Sequence, residues 1–189
     1  MAGDYTDLPN DLPEPRDGGA ADHLPGASIP AVPLPATDGT TVVLSARPGR
    51  VVVYCYPKTG RPDEDVIPEG WTQIPGAYGC TAEACGFRDN HRELRARGAS
   101  VFGLSTQTSE YQREARDRLG LPYELLSDAD LELAGRLRLP TFEAGGETLI
   151  ERLTLVIHDG RIEHVFYPVF PPDEHAGEVL AWLDSRTDA

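Results

Sequence analysis

Hydrophobic residues enter this chain late. From Met1 to Pro25, Asp, Pro and Gly dominate and no aliphatic pattern develops, so residues 1–26 read as a flexible acidic arm with too little apolar surface to offset its ordering entropy. From Ala27 the pattern changes. Ile29, Val32 and Leu34 lead through the turn signal Thr37-Asp38-Gly39-Thr40 to Thr41-Val42-Val43-Leu44, which predicts an N-terminal β-hairpin. Pro30, Pro33 and Pro35 reduce its first arm to an irregular edge strand. Arg50-Val51-Val52-Val53-Tyr54-Cys55-Tyr56, closed by Pro57, is an almost unbroken β-branched run. That pattern predicts a central strand buried on both faces, with its end beside the active site.

Downstream the rhythm alternates. Ala82 to Arg97 places Ala84, Phe87 and Leu94 among charges at helical spacing, and Ser100 to Ser105 reads as a strand. Glu110 to Leu119 is a second helix, Tyr123 to Leu126 a short strand, and Asp128 to Leu137 a helix opened by capping residues. Leu153 to Ile157 and Ile162 to Phe166 flank the hairpin turn His158-Asp159-Gly160-Arg161, and Glu174 to Leu183 ends the pattern as an amphipathic helix. Strand and helix units followed by an antiparallel hairpin and a helix predict an α/β domain over residues 27–189. The expected architecture is thioredoxin-like, a central mixed sheet flanked by helices, with the N-terminal hairpin attached.

Charge then narrows the function. With 31 acidic against 17 basic side chains the formal net charge is −14, which opposes binding to phosphate backbones and anionic membranes. Nucleic acid and membrane are therefore not expected partners. No apolar run has bilayer length and no signal-peptide pattern opens the chain, so a cytoplasmic protein is expected. Three cysteines do not make a secreted disulfide scaffold. Cys55 sits in the β-branched run and reads as an inert core thiol. Cys80 and Cys85, in Gly79-Cys80-Thr81-Ala82-Glu83-Ala84-Cys85, lie at a loop-to-helix junction. A thiol at a helix N-terminus meets unpaired N–H groups and the positive end of the backbone dipole, which makes Cys80 the candidate nucleophile. His91 near this pair does not complete a zinc site, because no fourth ligand and no second matching pair is present. No metal and no cofactor is expected.

Taken together, Tyr56-Pro57-Lys58, Gly79-Cys80-Thr81, Cys85-Gly86-Phe87-Arg88-Asp89, Leu125-Leu126-Ser127-Asp128 and Arg152-Leu153-Thr154-Leu155-Val156-Ile157 resemble the peroxiredoxins, in particular the bacterioferritin-comigratory or Q-type subfamily. The resemblance runs from about Ala27 to the last helix. It implies a thiol peroxidase on a thioredoxin fold that reduces hydrogen peroxide and organic hydroperoxides with electrons from a thioredoxin-type donor, as a monomer or weak homodimer. By that resemblance Cys80 is the peroxidatic cysteine, Cys85 the resolving cysteine of an intramolecular disulfide, and Arg152 the cation that stabilises thiolate and peroxide. A guanidinium is permanently charged and carries a fork of donors suited to that role. Residues five apart in an intact helix have Cα atoms about 8 to 9 Å apart, beyond the roughly 7 Å reach of a disulfide. The first turn of the helix must therefore open in each turnover.

The chain departs from the family pattern at one position. Where peroxiredoxins carry a threonine three residues before the nucleophile, this sequence has Ala77, and between Pro57 and Cys80 it holds extra length, an inserted active-site loop over residues 58–78. Thr59, Thr72 and Tyr78 are the candidate replacements for the missing hydroxyl. Two other functions stay open: a thiol-disulfide oxidoreductase or redox sensor that reacts poorly with peroxide, and a non-enzymatic interaction domain.

Overall fold

A computed structural model describes residues 7–62, 64 and 67–187. At its centre is a five-stranded mixed sheet of order β5-β4-β3-β8-β9, made from β3 (Arg50–Cys55), β4 (Ala99–Ser105), β5 (Leu125–Ser127), β8 (Leu153–His158) and β9 (Arg161–Phe166). β3 runs parallel to β4 and antiparallel to β8, and β4 runs parallel to β5. The predicted N-terminal hairpin forms as β1 (Pro33–Pro35) and β2 (Thr41–Val43), a separate two-stranded sheet. This is the mixed, helix-flanked sheet of the thioredoxin-like fold.

Alternation along β3 explains its unbroken hydrophobicity, since successive side chains point to opposite faces. Val52, Tyr54 and Tyr56 enter one core with Phe87, Leu94, Val179 and Leu183, beneath the helices α1 (Cys80–Asp89), α2 (His91–Ala96) and α5 (His175–Thr187). Val51, Val53 and Cys55 enter the opposite core with Leu104, Leu126 and Leu155, against α4 (Glu132–Leu137). Cys55 is fully buried, as a core thiol should be. Between β4 and β5 lies α3 (Ser109–Leu119), capped by the Thr108 hydroxyl, which accepts from the Tyr111 N–H.

Three local expectations are corrected, and one further element is found. The helix expected over Ala82 to Arg97 begins at Cys80 and breaks at Asn90, whose side-chain amide donates to the Gly86 carbonyl and competes with the regular ladder. Asp128 lies outside α4 and caps it from a distance, its carboxylate accepting from the Leu133 and Ala134 N–H groups. The loose arm expected up to residue 26 is seated at its end, where Ala21 and Leu24 are buried in the second core. A hairpin not anticipated, β6 (Thr141–Ala144) and β7 (Glu147–Ile150), turns on Gly145 and Gly146, both at positive φ. Its Gly-Gly signal was present in the sequence.

Candidate active site

Leaving β3, the chain passes Pro57 to Gly60, wanders through the inserted loop and returns at Gly79, which sits at φ 104° and starts α1. A Cβ at position 79 would stand 2.4 Å from Pro172 Cγ and 3.0 Å from Leu8 Cδ2, so only glycine satisfies both the dihedral and the packing. Gly79→Ala is expected to lower stability by about 1–3 kcal/mol, read as a drop in the thermal melting temperature. Cys80 is the first residue of the helix, 4% exposed.

Arg152, immediately before β8, reaches the same point from beside the end of β3. Its Nη2 lies 3.2 Å from Cys80 Sγ and also donates to the carbonyls of Ala77 and Tyr78, while Nε donates to Gly76. Nη1 pairs with the Glu83 carboxylate. One guanidinium therefore holds the sulfur and ties three successive loop carbonyls to the helix start. The neighbouring Glu151 does not pair with it and instead accepts from the Tyr167 hydroxyl. The Cys80 thiol in turn approaches the Ala77 carbonyl at 3.6 Å.

Cys80, Lys58, Thr59, Gly60, Ile67, Trp71 and Tyr78 line a narrow, open cleft. Thr59 is clamped: its N–H and hydroxyl both donate to Gln107 Oε1, at 2.9 and 3.1 Å, and its carbonyl accepts from Gln107 Nε2 and the Tyr111 hydroxyl. Of the three candidate replacements for the hydroxyl missing at Ala77, Thr59 and Tyr78 line the cleft. Thr72 is exposed on the loop, its hydroxyl accepting from Gln73. Cys85 is half-buried later in α1, and neither it nor Cys80 is in a disulfide.

Comparison with known proteins shows the family. The Redoxin family model matches residues 24–180. Peroxiredoxin Bcp of Escherichia coli strain K12 is 35% identical over 163 residues, 84% of this chain and 94% of that protein. The chain belongs to the peroxiredoxins. A chloroplastic peroxiredoxin Q of Oryza sativa subsp. japonica is 33% identical over 85% of this chain, which spans only 66% of that relative's length. Among solved structures, the peroxidoxin BcpB of Mycobacterium tuberculosis superposes with a TM-score of 0.69 at 30% identity, over 86% of this chain and 97% of its own. These relatives place the chain in the bacterioferritin-comigratory and Q-type group of peroxiredoxins.

Within this peroxiredoxin, the electrostatics of the thiol correct the simplest expectation, that a helix start and a guanidinium suffice to depress it. Burial pushes the Cys80 thiol up from its ordinary value, the Arg152 guanidinium and the Lys58 backbone N–H pull it down, and the Glu83 carboxylate pushes it up again. Burial has the larger effect. Glu83 was the residue that reading by element missed. It is fully buried, its Oε2 is bound by Arg152, and its Oε1 has no hydrogen-bond partner among the described residues. Burial pushes its carboxyl up as well, with Arg152 and His175 pulling down. The available signal was its spacing: three residues after Cys80 is one helical turn, on the same side.

Proposed function

We propose that this protein is a thiol-dependent peroxidase in which Cys80 attacks hydroperoxides and Cys85 resolves the product. The observation that carries this reading is the Cys80 sulfur at the head of α1, 3.2 Å from the Arg152 guanidinium and on the wall of a cleft. The thiolate attacks the terminal oxygen of the hydroperoxide, the O–O bond breaks, and the departing oxygen takes up a proton to leave as alcohol or water. Cys80 is left as a sulfenic acid. Arg152 presents donors where charge develops on the departing oxygen. The Thr59 hydroxyl, held by Gln107, has lone pairs left to accept from the peroxide O–H, the role of the hydroxyl missing at Ala77.

Cys85 then attacks the sulfenic sulfur, water leaves, and an intramolecular disulfide forms, which a thioredoxin-type dithiol reduces. The reading places the protein in the cytoplasm as a monomer or weak homodimer, acting without cofactor, metal, nucleic acid or membrane. Among the described residues, no helix is long and apolar enough to cross a bilayer.

One equivalent of peroxide is expected to yield a Cys80–Cys85 link by mass spectrometry, and Cys85→Ser is expected to stop at sulfenic acid and lose turnover with a thioredoxin system. A stable Cys80 sulfenic acid beside a free Cys85 in the unaltered protein would remove the resolving role. A second reading, a slow thiol-disulfide oxidoreductase or redox sensor, is favoured by the upward push that burial and Glu83 give the thiol. Disulfide exchange with negligible peroxide consumption would select it. Cys80 alkylation kinetics no different from an ordinary thiol would favour a non-enzymatic interaction domain.

A further inference from the structure

The arm meets the body of the protein well before Ala21. Residues 8–16 lie across the segment that leads into Cys80. Leu8 Cδ2 stands 3.0 Å from the point that a Cβ on Gly79 would occupy, and Pro15 Cβ stands 3.5 Å from the same point on Gly76. Between these two contacts Leu12 and Pro13 close a small cavity with Ile74, Tyr78, Arg152 and Phe170. Leu8, Leu12, Pro13 and Pro15 are half-buried, while Asn10, Asp11 and Glu14 stay exposed. Apolar side chains turned in and polar ones turned out mark a segment docked on a surface. Three prolines, Pro9, Pro13 and Pro15, restrict the free arm and so lower the entropy lost on docking.

Two sets of contacts therefore hold the same short segment, residues 76–79. Arg152 takes the carbonyls of Gly76, Ala77 and Tyr78 by hydrogen bonds, and the arm packs on Gly76 and Gly79. Pro172 Cγ, 2.4 Å from the Cβ point of Gly79, leaves no slack on its other neighbour. Opening the first turn of α1 releases the Glu83 N–H from the Gly79 carbonyl and moves Gly79 against Leu8 and Pro172. We propose that residues 8–16 are a strap that holds the head of α1 closed, and that its release sets how often Cys80 reaches Cys85. This rests on the reading of Cys85 as the resolving cysteine and adds to it the element that regulates that step. A contact made only in the closed form makes the open form rarer by the factor the contact is worth, and each CH2 withdrawn from apolar surroundings is worth about fourfold. Peroxide meets the sulfur in the cleft lined by Lys58, Thr59 and Trp71, whereas Leu12, Pro13 and Pro15 line the cavities against Gly76 and Arg152. The strap thus acts on opening and leaves the attack on peroxide alone.

The test uses a chain lacking residues 1–17, which keeps Ala21 and Leu24 in the core, and the full chain carrying Leu8→Ser with Leu12→Ser. Hydrogen–deuterium exchange of the reduced protein, read by mass spectrometry on a peptide spanning residues 79–85, needs no peroxide. Both variants are expected to exchange there at least fivefold faster, with β4 unchanged within about twofold. After a pulse of hydrogen peroxide, the first-order formation of the Cys80–Cys85 disulfide is expected to rise at least fivefold, while the second-order oxidation of Cys80 stays within about threefold. Unchanged exchange at residues 79–85, an equal acceleration in β4, or faster exchange with an unchanged rate of disulfide formation would overturn the strap. Faster exchange in variants of a protein that forms no Cys80–Cys85 disulfide at all would support the strap and overturn the reading of Cys85, which is a distinct result.

Discussion

Arg152→Met is expected to slow the reaction of Cys80 with peroxide by about a hundred- to a thousandfold, the usual cost of removing a donor aimed at developing negative charge. The guanidinium is 3% exposed and touches Cys80, Glu83 and the carbonyls of Gly76, Ala77 and Tyr78. Methionine fills the volume and supplies none of those hydrogen bonds. Stability is expected to fall too, by about 3–5 kcal/mol near neutral pH, because the Glu83 carboxylate is left buried without its cation. The pH dependence of that loss has a definite sign. Burial raises the carboxyl of Glu83 above its unfolded value, and without Arg152 it rises further. A group raised in the folded state stabilises fully below its unfolded value, near 4.3 for glutamate, and that stability disappears as pH climbs through the folded value. Urea titrations should therefore show the variant's deficit shrinking from neutral pH toward pH 4. A deficit independent of pH would mean that Glu83 is not the group left uncompensated.

Glu83→Gln is expected to move the Cys80 titration the other way. Glu83 and Cys80 share one guanidinium, so two acids compete for one cation and their protons are coupled. Glutamine keeps an acceptor for Arg152 and removes the negative charge that pushes the thiol up. The pH profile of Cys80 alkylation by iodoacetamide should shift down, making reaction near pH 7 faster. An unshifted profile would show that Glu83 already carries its proton when Cys80 ionises. The same contact opposes the proposed resolution by Cys85. Opening the first turn of α1 to bring Cys85 to Cys80 breaks the hydrogen bond from the Glu83 N–H to the Gly79 carbonyl and disturbs the Glu83 grip on Arg152.

Much of this was legible in the chain itself. The β-branched run at Val51 to Tyr56 specified a strand buried on both faces, because alternate side chains of such a strand must each find a core, and both cores are present. The hairpin over residues 153–166, the loop-to-helix junction near Cys80 and the order of the elements apart from the β6–β7 hairpin followed from local chemistry, which acts within a few residues. The sequence could nominate Cys80 from its place at a loop-to-helix junction, whereas Arg152, one of sixteen arginines, was singled out only by the family resemblance. The spacing of 72 positions between them says nothing of distance, and only the pairing of β3 with β8 brings the two to 3.2 Å.

Tertiary structure alone decided the rest. Whether Arg152 would pair with Glu151 or Glu83 depends on how α1 packs against the end of β8, and that packing brings Glu83 to the guanidinium while Glu151 accepts from Tyr167. The direction of the Cys80 thiol turned on desolvation, a property of the packed interior that no pattern of neighbours along the chain encodes. Thr72 and Thr59 look equivalent as hydroxyls in the sequence, and the fold leaves one exposed and clamps the other beside the sulfur through Gln107. Local preference is set over a few residues, whereas charge, burial and reach at this site are set by side chains that meet from across the whole chain.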